Sequence, residues 1–237
     1  MFGEEFERLN DAICDMGFDG VLYSFYPKPM YLHEHAQPLL HYSQSYSAFT
    51  NHYIANNYGN RDFVLRLAFN GNNVWIDWWD EIEKGNVTKE EQEVTEDARK
   101  NFNIHHGLSI PLLDGTYAIA GISVISMNPD KKVFAQLKEK HIEDLRKAAT
   151  SYHSAILHSK KELCFFVRPL LDNLSPPKKK VLKHLMRGEP LKMIEHREAI
   201  SRRYAEKTLL TIRREFGNIS TNELMYILGM LNVQEIL

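Results

Sequence analysis

The stretch that decides the fold of the C-terminal part reads LSPPKKKVLKHLMRGEPLKMIEHREAISRRYAEKTLLTIRREFG, from Leu174 to Gly217. Its apolar residues recur at helical spacing, with breaks at Gly188-Glu189-Pro190 and Ile200-Ser201. Glycine ends helices, proline cannot continue one, and serine is a good N-cap for the next. Together with the residues that follow, the pattern predicts four helices, over 177–187, 191–199, 202–216 and 222–231.

The third of these helices has one apolar face and one charged face. The apolar residues form a single buried stripe, Ala205, Leu209, Ile212 and Phe216. A tight turn before a basic helix is typical of a helix-turn-helix domain, which places that helix in the major groove of DNA. An isolated helix with these charges would indicate only a solvated face, but the helix order favours DNA binding. The candidate DNA contacts are Arg202, Arg203, Glu206, Lys207, Arg213 and Arg214, with Leu210 beside them.

The charge distribution supports the same interpretation. The whole chain has a net charge of −2, yet residues 174–237 hold 12 basic and 7 acidic residues, a net +5. Residues 1–173 hold 17 basic and 24 acidic residues, a net −7. A small basic module on an acidic body is typical of a protein whose small end binds a polyanion such as double-stranded DNA.

Prolines mark the boundary between these two parts. The 237 residues suffice for one large or two smaller domains, and Pro169, Pro176 and Pro177 cluster with polar residues between Phe166 and Pro177. Because proline breaks helices and favours extended backbone, we expect a linker here. The predicted organisation is a first domain over 1–165, a linker over 166–173 and a second domain over 174–237.

The N-terminal part mixes strands and helices. Strands are predicted over 20–26, 108–111 and 117–127, with Asp114-Gly115 as a hairpin turn signal, and helices over 2–16, 89–101 and 133–158. These elements predict an α+β fold, an α-β-α sandwich with an antiparallel sheet, followed by the all-α helix-turn-helix domain. Such a sandwich can enclose a small-molecule pocket between sheet and helices.

Several classes of function lack support in the sequence. No apolar run reaches the length of a membrane span, and the acidic start lacks the features of a secretory signal. Cys14 and Cys164 are expected to be free thiols in a reducing cytoplasm. No catalytic or nucleotide-binding motif occurs, and neither His33-Glu34-His35 nor His105-His106 has zinc-site spacing. We therefore expect a cytoplasmic protein that is not an enzyme and holds no metal or cofactor.

The C-terminal stretch resembles the C-terminal domain of the LuxR family of transcriptional regulators, to which it aligns without gaps. Two departures stand out: Lys178 replaces a usual acidic residue, and Tyr204–Thr208 replaces the Thr-Val-Lys-x-His run of the recognition helix. Lys192 matches the pattern and joins the predicted DNA contacts. The other matches are Leu174-Ser175, Val181-Leu182, Gly188, Ile194, Ile200-Ser201, Arg203, Ile212-Arg213-Arg214 and Gly217.

The N-terminal part resembles the autoinducer-binding domain of the same family. The segment FTNHYIANNYGNRDFVLR, Phe49–Arg66, is similar to the family pattern W-x-x-x-Y-x(8)-D-P, with Tyr53 and Asp62 in the places of the Tyr and Asp. Phe49 stands where Trp is usual and Phe63 where Pro is usual. Further along, Gly107 matches a loop glycine. Either Trp75 or Trp78 matches the second family Trp, and the spacing does not decide between them.

The resemblance implies a small-molecule signal, for which acyl-homoserine lactones are the family's usual ligands. Each polar group of such a ligand needs a partner when it is buried. The resemblance implies that Asp62 accepts the amide N–H and Tyr53 donates to the acyl carbonyl, while Ser123 or Ser126 adds a hydroxyl. The candidate wall residues are Tyr23, Ser24, Tyr42, Tyr58, Trp75 and Trp78.

Phe49 is the departure with the largest chemical consequence. The Trp of the family donates its indole N–H to the lactone carbonyl, and Phe has no donor. Either another group supplies that hydrogen bond or the head group of the ligand lacks that acceptor. A standard lactone, a pyrone, a dialkylresorcinol, another signal or no ligand at all remain open at this point.

The resemblance as a whole implies a quorum-sensing transcription factor that binds an autoinducer and promoter DNA as a homodimer. The helix over 133–158 is the expected dimer element, and that over 222–231 a second one. One alternative is a protein of the same fold that is ligand-independent or does not bind DNA and acts by forming heterodimers. Another is an enzyme that acts on a signal molecule through Asp62 and a nearby His.

Overall fold

The computed structural model of the chain describes residues 3–27, 39–113, 115–172 and 174–237. These residues form two compact units: the first contains the described residues up to Tyr26 and from 39 to Ala155, and the second contains Pro27 and the described residues from Ile156 onward. The His33-Glu34-His35 group, whose spacing does not predict a zinc site, and Asp114 of the predicted hairpin turn lie outside the described residues.

The first unit is built on a five-stranded sheet with the order β2-β1-β5-β4-β3. The pairs β1–β2, β3–β4 and β4–β5 are antiparallel, and Ser109 of β4 lies opposite Ser123 of β5. The strands are β1 Gly20–Pro27, β2 Leu40–Tyr42, β3 Ile76–Asp77, β4 His106–Pro111 and β5 Ala118–Ser126. The helices are α1 Glu4–Asp15, α2 Gln44–Ala55, α3 Phe63–Phe69, α4 Trp78–Glu83, α5 Lys89–Phe102 and α6 Lys131–His158, whose last residues belong to the second unit.

Side-chain caps fix the start of three helices around the sheet. The Asp62 carboxylate accepts a hydrogen bond from the backbone N–H of Val64 and begins α3. Asp77 does the same for the first turn of α4. Thr88 and Glu91 form a reciprocal capping box at α5. These caps pair backbone N–H groups that have no partner within the helix, so each helix begins at a defined residue.

The alternation of side chains along β1 divides the unit into two layers. Tyr23 and Phe25 are fully buried on one face, where they contact α6 through Tyr152 and His153. Leu22 and Ser24 point to the other face, toward α2 to α5. Because successive residues of a strand face opposite sides, helices cover both faces of the sheet. The predicted α-β-α sandwich is confirmed.

The face covered by α1 and α6 is closed by paired aromatic and histidine side chains. The Tyr23 hydroxyl and His153 Nδ1 lie 2.7 Å apart, and His41 Nδ1 and the Tyr152 hydroxyl 2.6 Å apart. Phe6 of α1 packs edge-on against Tyr152. Burial lowers the pKa of both His41 and His153 to about 4. Both rings are therefore neutral at physiological pH.

The second unit is helical. Its helices are α7 Lys160–Asp172, α8 Pro176–Met186, α9 Ile194–Glu198, α10 Arg202–Glu215 and α11 Thr221–Met230. The predicted helix over 191–199 is shorter than expected, because Leu191–Met193 forms a 3-10 turn before α9. Helices α8 to α11 correspond to the predicted four-helix plan.

The prediction of an extended linker over 166–173 is wrong up to Asp172, because α7 spans Lys160–Asp172 and includes Pro169. A proline inside a helix removes one backbone hydrogen bond and favours a break. The apolar stripe of α7 outweighs that preference, since Leu163, Phe166 and Val167 are fully buried at helical spacing. Phe166 and Val167, at the start of the predicted linker, are therefore buried core residues of a helix.

A short turn with one left-handed residue precedes α10. Ala199 adopts a left-handed conformation with φ 55°, and Ser201 caps α10 by accepting the backbone N–H of Tyr204. The predicted apolar stripe of α10 is confirmed, since Ala205, Leu209, Ile212 and Phe216 are all buried.

Two further properties concern the described residues alone. Within them, no helix is both long and apolar enough to span a bilayer. Nor do three or more His, Cys, Asp or Glu side chains cluster there as metal ligands would. Cys14 is exposed and Cys164 half-buried, and both are free thiols.

We predict that the first unit loses stability as the pH falls from 6.5 to about 4. In the unfolded chain His41 and His153 titrate near 6.5, whereas in the fold their pKa is about 4. As the pH falls, protons therefore bind the unfolded state before they bind the folded state, which lowers the free energy of unfolding. The decrease is at most about 3 kcal/mol per histidine and is smaller for the half-buried His153.

Urea denaturation followed by tryptophan fluorescence measures this, because all three tryptophans lie in the first unit. The double variant His41→Asn/His153→Asn retains side-chain hydrogen-bonding groups near the two Nδ1 positions without the titration. It should lose less stability on acidification than the wild type does. The control His196→Asn, at an exposed position, should lose as much stability as the wild type. Equal acid sensitivity of all three proteins would contradict the prediction.

Candidate functional site

A cavity lies between the sheet and helices α2 to α5 of the first unit. It holds about 870 Å³ of empty space, its open mouth included. Most of its wall is apolar, with few polar groups. The lining residues are Leu22, Ser24, Tyr26, Leu40, Tyr46, Phe49, Thr50, Tyr53, Asp62, Phe63, Val64, Leu65, Trp78, Glu91, Val94, Thr95, Ile119 and Ser123.

The structure brings several of the predicted ligand contacts together in this cavity. Phe49 and Tyr53 come from α2, Asp62 from the cap of α3, Trp78 from the first position of α4, and Ser123 from β5. They are far apart in sequence, and the α2 pair lies on one face because it is four residues apart. Ser24 of β1 lines the cavity as well.

Other predicted residues lie elsewhere. Trp75 is 41% exposed and does not line the cavity, so the tryptophan in the wall is Trp78. The hydroxyl of Tyr58 donates to Asp97 Oδ2 at 2.9 Å. Tyr42 packs against the core beside the cavity. Tyr23 and Ser126 lie outside the lining, Tyr23 on the face that α6 covers.

Asp62 is the central polar group of the cavity. Its Oδ2 accepts a hydrogen bond of 2.6 Å from the Tyr53 hydroxyl, and its Oδ1 accepts one of 2.7 Å from the Val64 backbone N–H. Burial raises the pKa of Asp62, and these hydrogen bonds act in the opposite direction. A carboxylate offers about four acceptor positions, so Asp62 can still accept a donor from a ligand.

The aromatic wall has no indole donor free for a ligand. Phe49 is buried and packs edge-on against Tyr53 and Phe102. The Trp78 indole Nε1 donates to Ser109 Oγ at 3.0 Å. Trp78 packs directly on Gly107, where a Cβ would lie 2.2 Å from the ring. Gly107 is therefore needed for the close approach of this ring to β4.

The sequence analysis missed several lining residues. Tyr46 and Thr50 share the cavity face of α2 with Phe49 and Tyr53, and a search at intervals of three and four residues along α2 would have found them. Burial raises the pKa of Tyr46, and the charge of Asp62 adds to this. Thr95 lies on α5, where the sequence predicted a helix but no ligand contact.

An ion pair joins α3 to α5 beside the cavity. Arg66 Nε and Nη2 donate to the two carboxylate oxygens of Glu91, at 2.6 and 3.0 Å. Arg66 Nη2 also donates to the backbone oxygen of Asn86 at 2.9 Å. The hydrogen bonds from Arg66 lower the pKa of Glu91, which lines the cavity. Glu91 is thus a paired carboxylate, unlike Asp62.

The candidate DNA surface of α10 contains both paired and unpaired charges. Arg202 Nε donates to Glu206 Oε1 at 2.8 Å, and Arg213 Nε donates to the Ile219 backbone oxygen at 2.7 Å. Arg203, Lys207 and Arg214 share the outward face of α10 and are exposed, and across the described ranges none forms an ion pair. Lys192 is exposed on the preceding 3-10 turn.

Comparison with known proteins gives a match over most of the first unit. The family model of the autoinducer-binding domain matches residues 4–156. The crystal structure of Escherichia coli SdiA is similar with a TM-score of 0.56 at 15% identity, over 99% of this chain and 93% of that chain. CepR2 from Burkholderia cenocepacia, described as an N-acylhomoserine lactone dependent LuxR family factor, gives a TM-score of 0.49 at 16% identity, over 65% of this chain and 85% of that one. No curated protein gives a significant sequence match.

We predict that Asp62→Ala destabilises the first unit by about 1–3 kcal/mol, because α3 loses its cap and the Tyr53 hydroxyl loses its acceptor. Asp62→Asn retains an acceptor for the Val64 N–H and removes a half-buried charge, so it should stay within about 1 kcal/mol of the wild type. Urea denaturation followed by tryptophan fluorescence measures both. Equal destabilisation by the two substitutions would show that the cap does not hold α3.

Proposed function

The chain belongs to the autoinducer-binding domain family and is a LuxR-type protein; on that premise we propose that it is a transcriptional regulator that binds a small acylated signal in the cavity and DNA through α10. The observation that carries the ligand half is the Asp62 carboxylate, which is half-buried in the mostly apolar cavity wall and forms no ion pair with any described residue. A ligand that covers this carboxylate would bury its charge, and a ligand N–H would give it a further donor.

The cavity wall favours a particular kind of ligand. An acyl chain fits the apolar lining formed by α2, α5 and β1, and an amide N–H fits Asp62. The head group meets no free indole N–H, since Phe49 has none and Trp78 donates to Ser109. We infer that the signal is an acyl amide whose head group needs no carbonyl hydrogen bond from this wall.

A matched pair of ligands tests this: N-octanoyl homoserine lactone and N-octanoyl cyclopentylamide, whose rings differ in the lactone ester group. Both should raise the unfolding temperature by several degrees at saturation. The cyclopentylamide should raise it at least as much as the lactone does, because the lactone carbonyl would be buried without a hydrogen-bond donor. Differential scanning fluorimetry measures the shift, with Asp62→Ala as the variant that should lose it.

Each result has a separate meaning. If neither compound stabilises the wild type, the acyl amide assignment fails. If the lactone stabilises far more than the cyclopentylamide, the wall supplies a donor to the lactone carbonyl after all, and the head-group inference fails.

The DNA half of the proposal depends on α10. Arg203, Lys207 and Arg214 lie on one outward face, as residues spaced four and seven apart do. Unpaired cations on one face can contact phosphates or guanine edges without first breaking an internal ion pair. We propose that a homodimer presents two such helices to a pseudo-palindromic promoter site, and that the signal shifts the population toward the state that binds DNA.

We predict that Arg203→Ala/Lys207→Ala weakens binding to a fluorescent DNA duplex of arbitrary sequence and flattens its salt dependence. Each lost phosphate contact should reduce the slope of log K against log salt by about 0.9, measured by anisotropy between about 50 and 200 mM salt. The charge-matched control Lys89→Ala/Lys100→Ala, on exposed positions of α5 and outside the expected dimer elements, should leave the slope unchanged.

Two results would contradict this prediction. Equal losses in both double variants would mean that net charge alone binds the duplex. Undetectable binding by the wild type would favour the alternative in which the protein acts through heterodimer contacts.

A further inference from the structure

A buried serine links the aromatic wall of the cavity to one of its polar groups. Ser109 of β4 is 3% exposed and lies opposite Ser123 of β5, with the two Oγ atoms 2.7 Å apart. Trp78 Nε1 donates to the same Ser109 Oγ at 3.0 Å. Ser123 lines the cavity, whereas Ser109 does not. The three side chains form a row that ends at the cavity.

The chemistry of the three groups gives this row a direction. An indole N–H can only donate, so Ser109 accepts from Trp78. The Ser109 hydroxyl proton then needs an acceptor, and across the described part of the chain the only one within hydrogen-bond distance is Ser123 Oγ. The opposite orientation, in which Ser123 donates to Ser109, leaves a buried donor unsatisfied. Ser123 therefore accepts from Ser109, and its own proton is free for the cavity.

We propose that Ser109 is a positioning residue that orients the Ser123 hydroxyl as a hydrogen-bond donor, so that the ligand must present an acceptor such as its acyl carbonyl at Ser123. This inference rests on the proposed function of the cavity. The Tyr53 hydroxyl donates to Asp62, so its proton is already used, whereas the row leaves the Ser123 proton for the carbonyl. Asp62 and Ser123 then select opposite ends of one amide, its N–H and its oxygen.

A double-mutant cycle with N-octanoyl cyclopentylamide tests the proposal, because this probe has a single carbonyl. Isothermal titration should show Ser123→Ala weakening binding about tenfold and Ser109→Ala about threefold. In the Ser123→Ala background, Ser109→Ala should cause a smaller loss than in the wild type, because only its effect through Trp78 then remains. The control is Ser126→Ala, a buried serine of the same strand that lies outside the cavity lining, which should not weaken binding.

The same loss from Ser109→Ala in both backgrounds would show a merely structural role and overturn the proposal. If the probe does not bind the wild type, the proposed ligand class fails, and the orientation of the row is then decided without ligand. Neutron diffraction from crystals of the deuterated full chain locates the hydroxyl deuterons. A Ser123 deuteron aimed into the cavity supports the proposal, and one on the line to Ser109 Oγ overturns it.

Discussion

Both faces of the sheet in the first unit are covered by helices. The alternation of side chains along β1 and β5 places large side chains on one face and small ones on the other. One face carries Tyr23 and Phe25; His153 of α6 hydrogen-bonds to the Tyr23 hydroxyl and packs edge-on against Phe25. The other face carries Ser24 and Ser123, side chains too small to fill the space under α2 and α5. A cavity follows from that difference in size, since protein interiors otherwise pack closely.

The cavity stays open because its polar groups are held by partners within the protein. Asp62 is fixed by α3, which it caps, and by the Tyr53 hydroxyl. Trp78 is fixed by Gly107 beneath its ring and by Ser109 at its N–H. A ligand that enters such a site orders few side chains, and a preorganised site binds more tightly for that reason. The same fixed directions make the site selective, because a misplaced donor or acceptor would be buried without a partner.

The sequence was informative where one local rule acts alone. The stripe of α10, the break at Ser201 and the strand over 20–26 each follow from periodicity and capping, and the structure has them at nearly those residues. Prediction failed where tertiary packing opposes a local preference, as in α7, where three buried apolar side chains outweigh Pro169. The sequence did not decide whether Trp75 or Trp78 lines the cavity, because Trp78 is placed there by its packing on Gly107 of β4, which is distant in sequence. Ser109 was not predicted at all, because its partners are 31 and 14 residues away in sequence.

The Asp62 cavity and the cationic face of α10 differ in how their charges are held, and this difference affects how each would bind its proposed partner. In the cavity, a half-buried carboxylate is surrounded by donors that are already in place, so recognition there depends on geometry and desolvation. On α10, Arg202 donates to Glu206 and Arg213 to the Ile219 backbone, whereas Arg203, Lys207 and Arg214 are exposed and form no ion pair with any residue that the structure describes. Contacts from flexible exposed cations depend on salt and read little sequence on their own. Under the proposed function, specificity for a promoter would therefore come from the spacing and symmetry of two such helices in a dimer more than from any single side chain. A ligand that shifted the proposed dimerisation would then also set how selectively DNA is bound.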